Sequence, residues 1–227
     1  MNFVMRKIVI VLFTLLSIPS FICAEVSKKG GGALLEEMKN QIGKLGTCEI
    51  VFEFEAYSSG GELLGEQGGI FIAQGDCFKI STPIVELFCD GESKWIYDIE
   101  AVEMTIFPHN KALDDIAENP FGVLKNLDLS HYKFSNRAEK VVVGSNNCYQ
   151  LTLTPKDKDS NYTSLIIAIS ETTSLPVSLR YLNRNGDWYF LTISSIGEIP
   201  QKSSDYFLPG DDVLSNPDLY ITDLRGD

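Results

Sequence analysis

The side chains able to do chemistry are few and scattered along this sequence. Its two histidines, His109 and His131, have no cysteine, serine motif or second histidine beside them. A lone histidine of this kind reads as a surface or capping residue rather than a general base. No Gly-x-Ser-x-Gly stretch marks a nucleophile elbow. The run GGELLGEQGG at 60–69 is glycine-rich, yet no Lys-Ser/Thr pair follows and no helix opens after it. It cannot cradle a phosphate, and its glycines read as strand bends. Asp114, Asp115 and Glu118 lie along one helix-like stretch, ALDDIAE, as a solvated face, and the pattern does not favour the paired carboxylates of glycoside chemistry. Asn161-Tyr162-Thr163 is a formal glycosylation acceptor. No histidine clusters with the cysteines, and none of these shows metal-ligand spacing. The expectation is therefore no enzyme, no metal and no cofactor.

The start of the chain reads as an address. Arg6 and Lys7 precede the apolar run IVIVLFTLLSI, and PSFICA follows. A basic start, a short apolar centre and a small exit residue describe a secretory signal, cleaved near Ala24. Ile22 ahead of Cys23 argues against a lipid-anchored N-terminus. The formal charge of the whole chain is −12, and loss of the basic leader makes it more negative. Such a surface disfavours nucleic acid and anionic membranes. Export permits disulfides among Cys48, Cys77, Cys89 and Cys148. If Ser81 stands opposite Val85 across the turn TPI, then Cys77 stands opposite Cys89, and a cross-strand bridge is expected between them.

The elements that must position the side chains follow from periodicity. In ALLEEMKNQIGKL (33–45), Leu34, Leu35, Met38, Ile42 and Leu45 form one stripe of an amphipathic helix. From CEIVFEFEAY onward the period is two. Short strands alternate with Gly, Pro, Asp and Ser punctuation as an antiparallel meander. A helical insert at 110–128 interrupts it, kinked at Asn119-Pro120, with Leu113, Ile116, Phe121 and Leu124 on its apolar side. The reading is a mainly β (α+β) chain: a signal peptide at 1–24, one domain at 25–208 and an acidic, loosely ordered tail at 209–227. About ten or eleven strands in one continuous set must curl strongly, as an unclosed antiparallel β-barrel with an N-terminal amphipathic helix and a central helical lid.

CDGESKWIYDIE (89–100) reads as a hairpin at Asp90-Gly91 whose second strand sends Trp95, Tyr97 and Ile99 to one face. A curved sheet with an apolar concave side and a thin lid suits an apolar ligand. Phe52, Phe54, Phe71, Phe78, Trp188 and Phe190 offer further aromatic positions.

The chain resembles the periplasmic lipoprotein carriers of the LolA type. The resemblance lies in an ordered series: GGIFI, Phe78 with Pro83 shortly after, DGESKWIYD, NPFGVLKN, YQLTLTPKD and DYFLP. It implies a hydrophobic cavity for the acyl chains of a lipoprotein or another lipid, lined by Phe78, Ile80, Trp95, Tyr97, Leu113, Ile116, Phe121 and Leu124. It also implies a periplasmic location and a monomer. The implied partners are an inner-membrane lipoprotein-release transporter and an outer-membrane acceptor. The family has a basic residue and Pro at the turn after GGIFI, where this chain has Gln74-Gly75-Asp76. Gln74 is therefore expected as a neutral, weaker contact to the lid. An envelope interaction or lipoprotein-sensing module without a carrier role is the alternative.

Overall fold

The structure, a computed structural model, describes residues 29–110, 116 and 119–226. Helix α1 spans Gly31–Lys44 and buries Leu34, Leu35, Met38 and Ile42, the stripe read from the sequence. Its first residue anchors it: Gly31 N–H donates to Asn136 O at 2.7 Å. Leu113 and most of the first half of the helical insert lie outside the described residues. The second half is α2, Pro120–Lys125. It starts at the Asn119-Pro120 step because Asn119 accepts a hydrogen bond from Gly122 N–H at 2.9 Å, while Pro120 fills a first-turn position that needs no donor.

Thirteen strands among the described residues form one sheet. They are β1 (Thr47–Tyr57), β2 (Leu63–Gln74), β3 (Cys77–Ser81), β4 (Val85–Cys89), β5 (Ser93–Asp98), β6 (Glu103–Pro108), β7 (Tyr132–Phe134), β8 (Glu139–Val143), β9 (Asn146–Pro155), β10 (Tyr162–Ser170), β11 (Pro176–Asn183), β12 (Trp188–Ile199) and β13 (Tyr220–Asp223). The order is β13-β6-β5-β4-β3-β2-β1-β12-β11-β10-β9-β7, and β8 also pairs with β9. The end strands do not pair with each other, so the curved sheet stays unclosed. The inner face is one apolar core running from Phe78 and Cys89 through Ile50 and Phe71 to Leu151, Leu165 and Ile167, all at most 2 % exposed. Helix α1 lies across it, from Leu151 at its N-terminal end to Cys48 and Ala73 at its C-terminal end.

The sheet is mixed rather than purely antiparallel, because the chain's tail joins it. Residues beyond Pro209, expected to be loose, form a short helix α3 (Asp211–Leu214) and then β13, which pairs in parallel with β6. This segment covers the outer face of β5 and β6. Tyr97, Met104 and Ile106 pack against Val213, with Trp95, Ile99 and Leu219 around them. The aromatic face of the hairpin therefore touches the chain's own C-terminal segment, and Trp95 and Tyr97 do not line the inner side. The Asp90-Gly91 turn itself is as read. Gly91 sits at φ +96°, a region that L side chains rarely adopt, and Asp90 Oδ1 accepts from Glu92 and Ser93 N–H at 2.8 Å each.

Two further expectations are corrected by register. Across β3 and β4, Phe78 faces Cys89 and Ser81 faces Glu86, one residue out of the pairing that would oppose Cys77 to Cys89. Both cysteines are free thiols. Cys77 Sγ donates to Asp90 O at 3.1 Å and Cys89 Sγ to Asp76 O at 3.9 Å. Gln74 does not reach α2. Its Oε1 accepts from Thr47 Oγ1 and Lys202 N–H, both at 2.8 Å, and its Nε2 donates to Lys202 O at 3.1 Å. It thus fastens the segment after β12, which continues to Phe207, fully buried, and to Tyr206, set over Lys79.

Tyr97→Glu should put a charge beneath α3 and cost about 3 kcal/mol, lowering Tm by roughly 10 °C. Limited proteolysis should then cut within 209–226 first. An unchanged cleavage pattern would contradict the outer-face packing. Peptide mapping without reduction should recover Cys77 and Cys89 as free thiols. Burial, then the nearby Asp90 and Asp76 carboxylates, hold the Cys77 thiol above the ordinary thiol range. At neutral pH it should alkylate slowly, faster as pH rises, because only the thiolate attacks. A Cys77–Cys89 disulfide would refute the register.

Candidate functional site

On the inner face, strand alternation sets four side chains in a row across four strands: Phe71, Ile80, Leu87 and Ile96 are directly opposed from β2 to β5. Across β1 a second wall is made by Phe54, Leu191, Leu179 and Tyr181. Between these walls lies a cavity of about 260 Å³, covered by Ile116, Pro120 and Phe121 from the helical insert. That is more than the ~150 Å³ that accepts benzene in an apolar core. It is slightly below the ~300 Å³ at which ordinary ligand pockets begin. Phe52 shapes the floor. It stands opposite Gly69, where a Cβ would come within 2.6 Å of its ring, so only glycine lets the ring lie on the backbone of β2.

The residues expected at the cavity divide into three groups. Ile80, Ile116 and Phe121 line it. Phe78 is beside it: its ring stacks on Phe71 at 5.8 Å, and it faces a smaller pocket of about 150 Å³ shared with Ile42, Leu45, Cys48 and His109. Leu124 is fully buried in the core between α2 and the sheet and lines neither space. Trp95 and Tyr97 are on the other face, and Leu113 is outside the described residues. In β5 the cavity residue is Ile96. Its neighbours in alternation, Lys94 and Asp98, are polar, which made that face read as solvent-exposed. The far wall, Leu179, Tyr181 and Leu191, was not assigned to the site by sequence reasoning. The period of two in β11 and β12 was the available signal, but nothing in it names the face that turns inward.

Tyr181 links the cavity to an aromatic rim. It stacks on Tyr189 with ring centroids 4.6 Å apart, and Tyr189 lies 6.0 Å from Phe54. Tyr162 meets Tyr181 edge-on at 6.4 Å and shares a 2.6 Å hydroxyl contact with Tyr132.

Reactive groups are sparse around these spaces. Burial raises the Cys48 and Cys148 thiols above their ordinary range, so they are poor nucleophiles. His131 is on an exposed turn beside Asp128, at 3.7 Å. Among the described residues no cluster of His, Cys, Asp or Glu could hold a metal ion. No helix among them is long and apolar enough to cross a membrane. What the arrangement can do is desolvate an apolar group and release it when the cover moves.

No protein-family model matches the sequence, and no curated protein is detectably similar to it. Solved structures are similar. An uncharacterized conserved protein from Thermus thermophilus superimposes with a TM-score of 0.53 at 8 % identity, over 85 % of this chain and 98 % of that one. The Mycobacterium tuberculosis lipoprotein LppX gives 0.49 at 13 % identity, over 76 % and 100 % of the two chains. A LolA superfamily protein from Nitrosomonas europaea gives 0.42 at 10 %, over 79 % and 98 %. The superposition with the Thermus thermophilus protein shows a shared fold, here an unclosed, curved sheet with a helical cover.

Proposed function

We propose that the protein is a non-catalytic carrier of the cell envelope. It would hold the acyl chains of a lipoprotein, or another apolar lipid, in the cavity beneath α2 during transfer to the outer membrane. The observation that carries this reading is the cavity itself: two opposed apolar walls, one from β2–β5 and one from β1, β11 and β12, under a short helical cover. Each buried methylene contributes roughly 0.8 kcal/mol, so a segment of about ten contributes several kcal/mol after the costs of ordering. At 260 Å³ the covered cavity takes a short segment, and a longer chain requires the insert to swing outward. Release then follows from the same motion in the presence of a competing acceptor. The signal-like first 24 residues support a periplasmic location. A donor transporter in the inner membrane and an acceptor in the outer membrane complete the proposal, by family resemblance.

The modest volume favours a second reading, in which the cavity stays shut and the rim binds an envelope protein. Titration with the neutral fluorophore N-phenyl-1-naphthylamine separates the two. The carrier should bind it saturably, near one equivalent, with micromolar affinity. Ile96→Glu should weaken binding at least tenfold, because an unpaired charge facing an apolar cavity is costly. The half-buried position of Ile96 lets the carboxylate stay hydrated, so Tm should fall by only a few degrees. Both tryptophans, Trp95 and Trp188, are on the outer face, so their emission should hardly change. Absence of saturable binding to the folded parent would overturn the carrier reading.

A further inference from the structure

The cavity wall contains one polar atom that its apolar surroundings do not explain. Gln67, on β2 opposite Phe54, lines the cavity. Its Oε1 is buried and receives no hydrogen bond among the described residues. A nearby lining hydroxyl cannot serve it: Thr82 Oγ1 donates to Val85 O at 2.9 Å and accepts from Val85 N–H at 3.0 Å. Buried acceptors in native proteins are almost always paired, so an exception inside a cavity marks a place for a donor from water or from a ligand. Replacing Gln67 by an aliphatic residue would remove the mismatch at little cost to the sheet, since the residue is only half-buried and its backbone stays paired with Phe54 of β1.

We propose that Gln67 is a specificity residue, accepting a hydrogen bond from a hydroxyl or amide N–H carried by the bound lipid. The proposal rests on the carrier reading and adds the class of ligand to it. Gln67 follows the exposed stretch Leu63–Glu66 of β2, so it stands at the solvent-side end of the cavity, while most of the remaining wall is aliphatic and aromatic. The donor therefore belongs within a few atoms of the chain's polar end, with plain hydrocarbon beyond it. A 3-hydroxyacyl chain and an N-acyl amide both have this form. A simple fatty acid, ionised at neutral pH, has no donor at that place and leaves Oε1 desolvated and unpaired.

The test is displacement of N-phenyl-1-naphthylamine by hexadecanoic acid, 3-hydroxyhexadecanoic acid and N-hexadecanoylglycine, against the parent and Gln67→Leu. The parent should bind one or both donor-bearing ligands about tenfold tighter than hexadecanoic acid, a difference of about 1.4 kcal/mol. Gln67→Leu should lose that preference and bind hexadecanoic acid at least as well as the parent does. Preference for one donor-bearing ligand alone identifies the donor as hydroxyl or as amide. Equal affinity of the parent for all three, or an unchanged preference in Gln67→Leu, overturns the role of Gln67 and leaves the carrier reading standing. Failure of all three to displace the probe, with no saturable probe binding, overturns both.

Discussion

A sheet that keeps part of its inner face open as a cavity must draw its stability from elsewhere. Every apolar side chain turned toward the cavity forgoes part of the burial that would otherwise hold the sheet together, at about 25 cal/mol per Å² left uncovered. The structure answers this constraint in two places. On the inner face, α1 fills the half of the sheet that the cavity does not use, burying Leu34, Leu35, Met38 and Ile42. On the outer face, the C-terminal segment lies over β3 to β6 and buries Phe207, Val213, Tyr97 and Met104.

The outer covering also explains an arrangement unusual for a half-exposed antiparallel sheet. β5 is apolar on both faces, with Ile96 toward the cavity and Trp95 and Tyr97 away from it. A strand with water on one side would alternate apolar and polar residues; one buried on both sides need not. The same double covering sets Lys79 in an aromatic setting. Its ammonium pairs with Glu86 at 3.0 Å and sits 4.5 Å from the Phe88 ring centroid, beneath Tyr206. Gln74 closes this system by bonding both backbone groups of Lys202. The residue that the family resemblance assigned to the lid therefore secures the strap on the opposite face.

Sequence and fold agree wherever the physics is local. The stripe of α1, the Asn119-Pro120 start of α2 and the Asp90-Gly91 turn follow from side-chain spacing, capping and φ preference, all of which act within a few residues. The apolar periodicity of two sufficed for a long, curling sheet.

Only the tertiary structure decided which face of each strand turned inward. A pattern with period two has two faces and no label on either, and a slip of one residue exchanges them. Trp95 and Tyr97 look like the inner face of β5 because their alternates include Lys94 and Asp98. They lie outside because a tail more than 100 residues downstream, acidic and without periodicity, folds back to cover them. The same one-residue ambiguity set Phe78, not Cys77, opposite Cys89. The cavity walls join β2–β5 to β11–β12, brought together by the pairing of β1 with β12. The sequence by itself determined α1, the strands up to β12 and the apolar character of the interior. The choice of face, the far wall and the place of Gln67 in the cavity depend on contacts between distant segments, which no local pattern encodes.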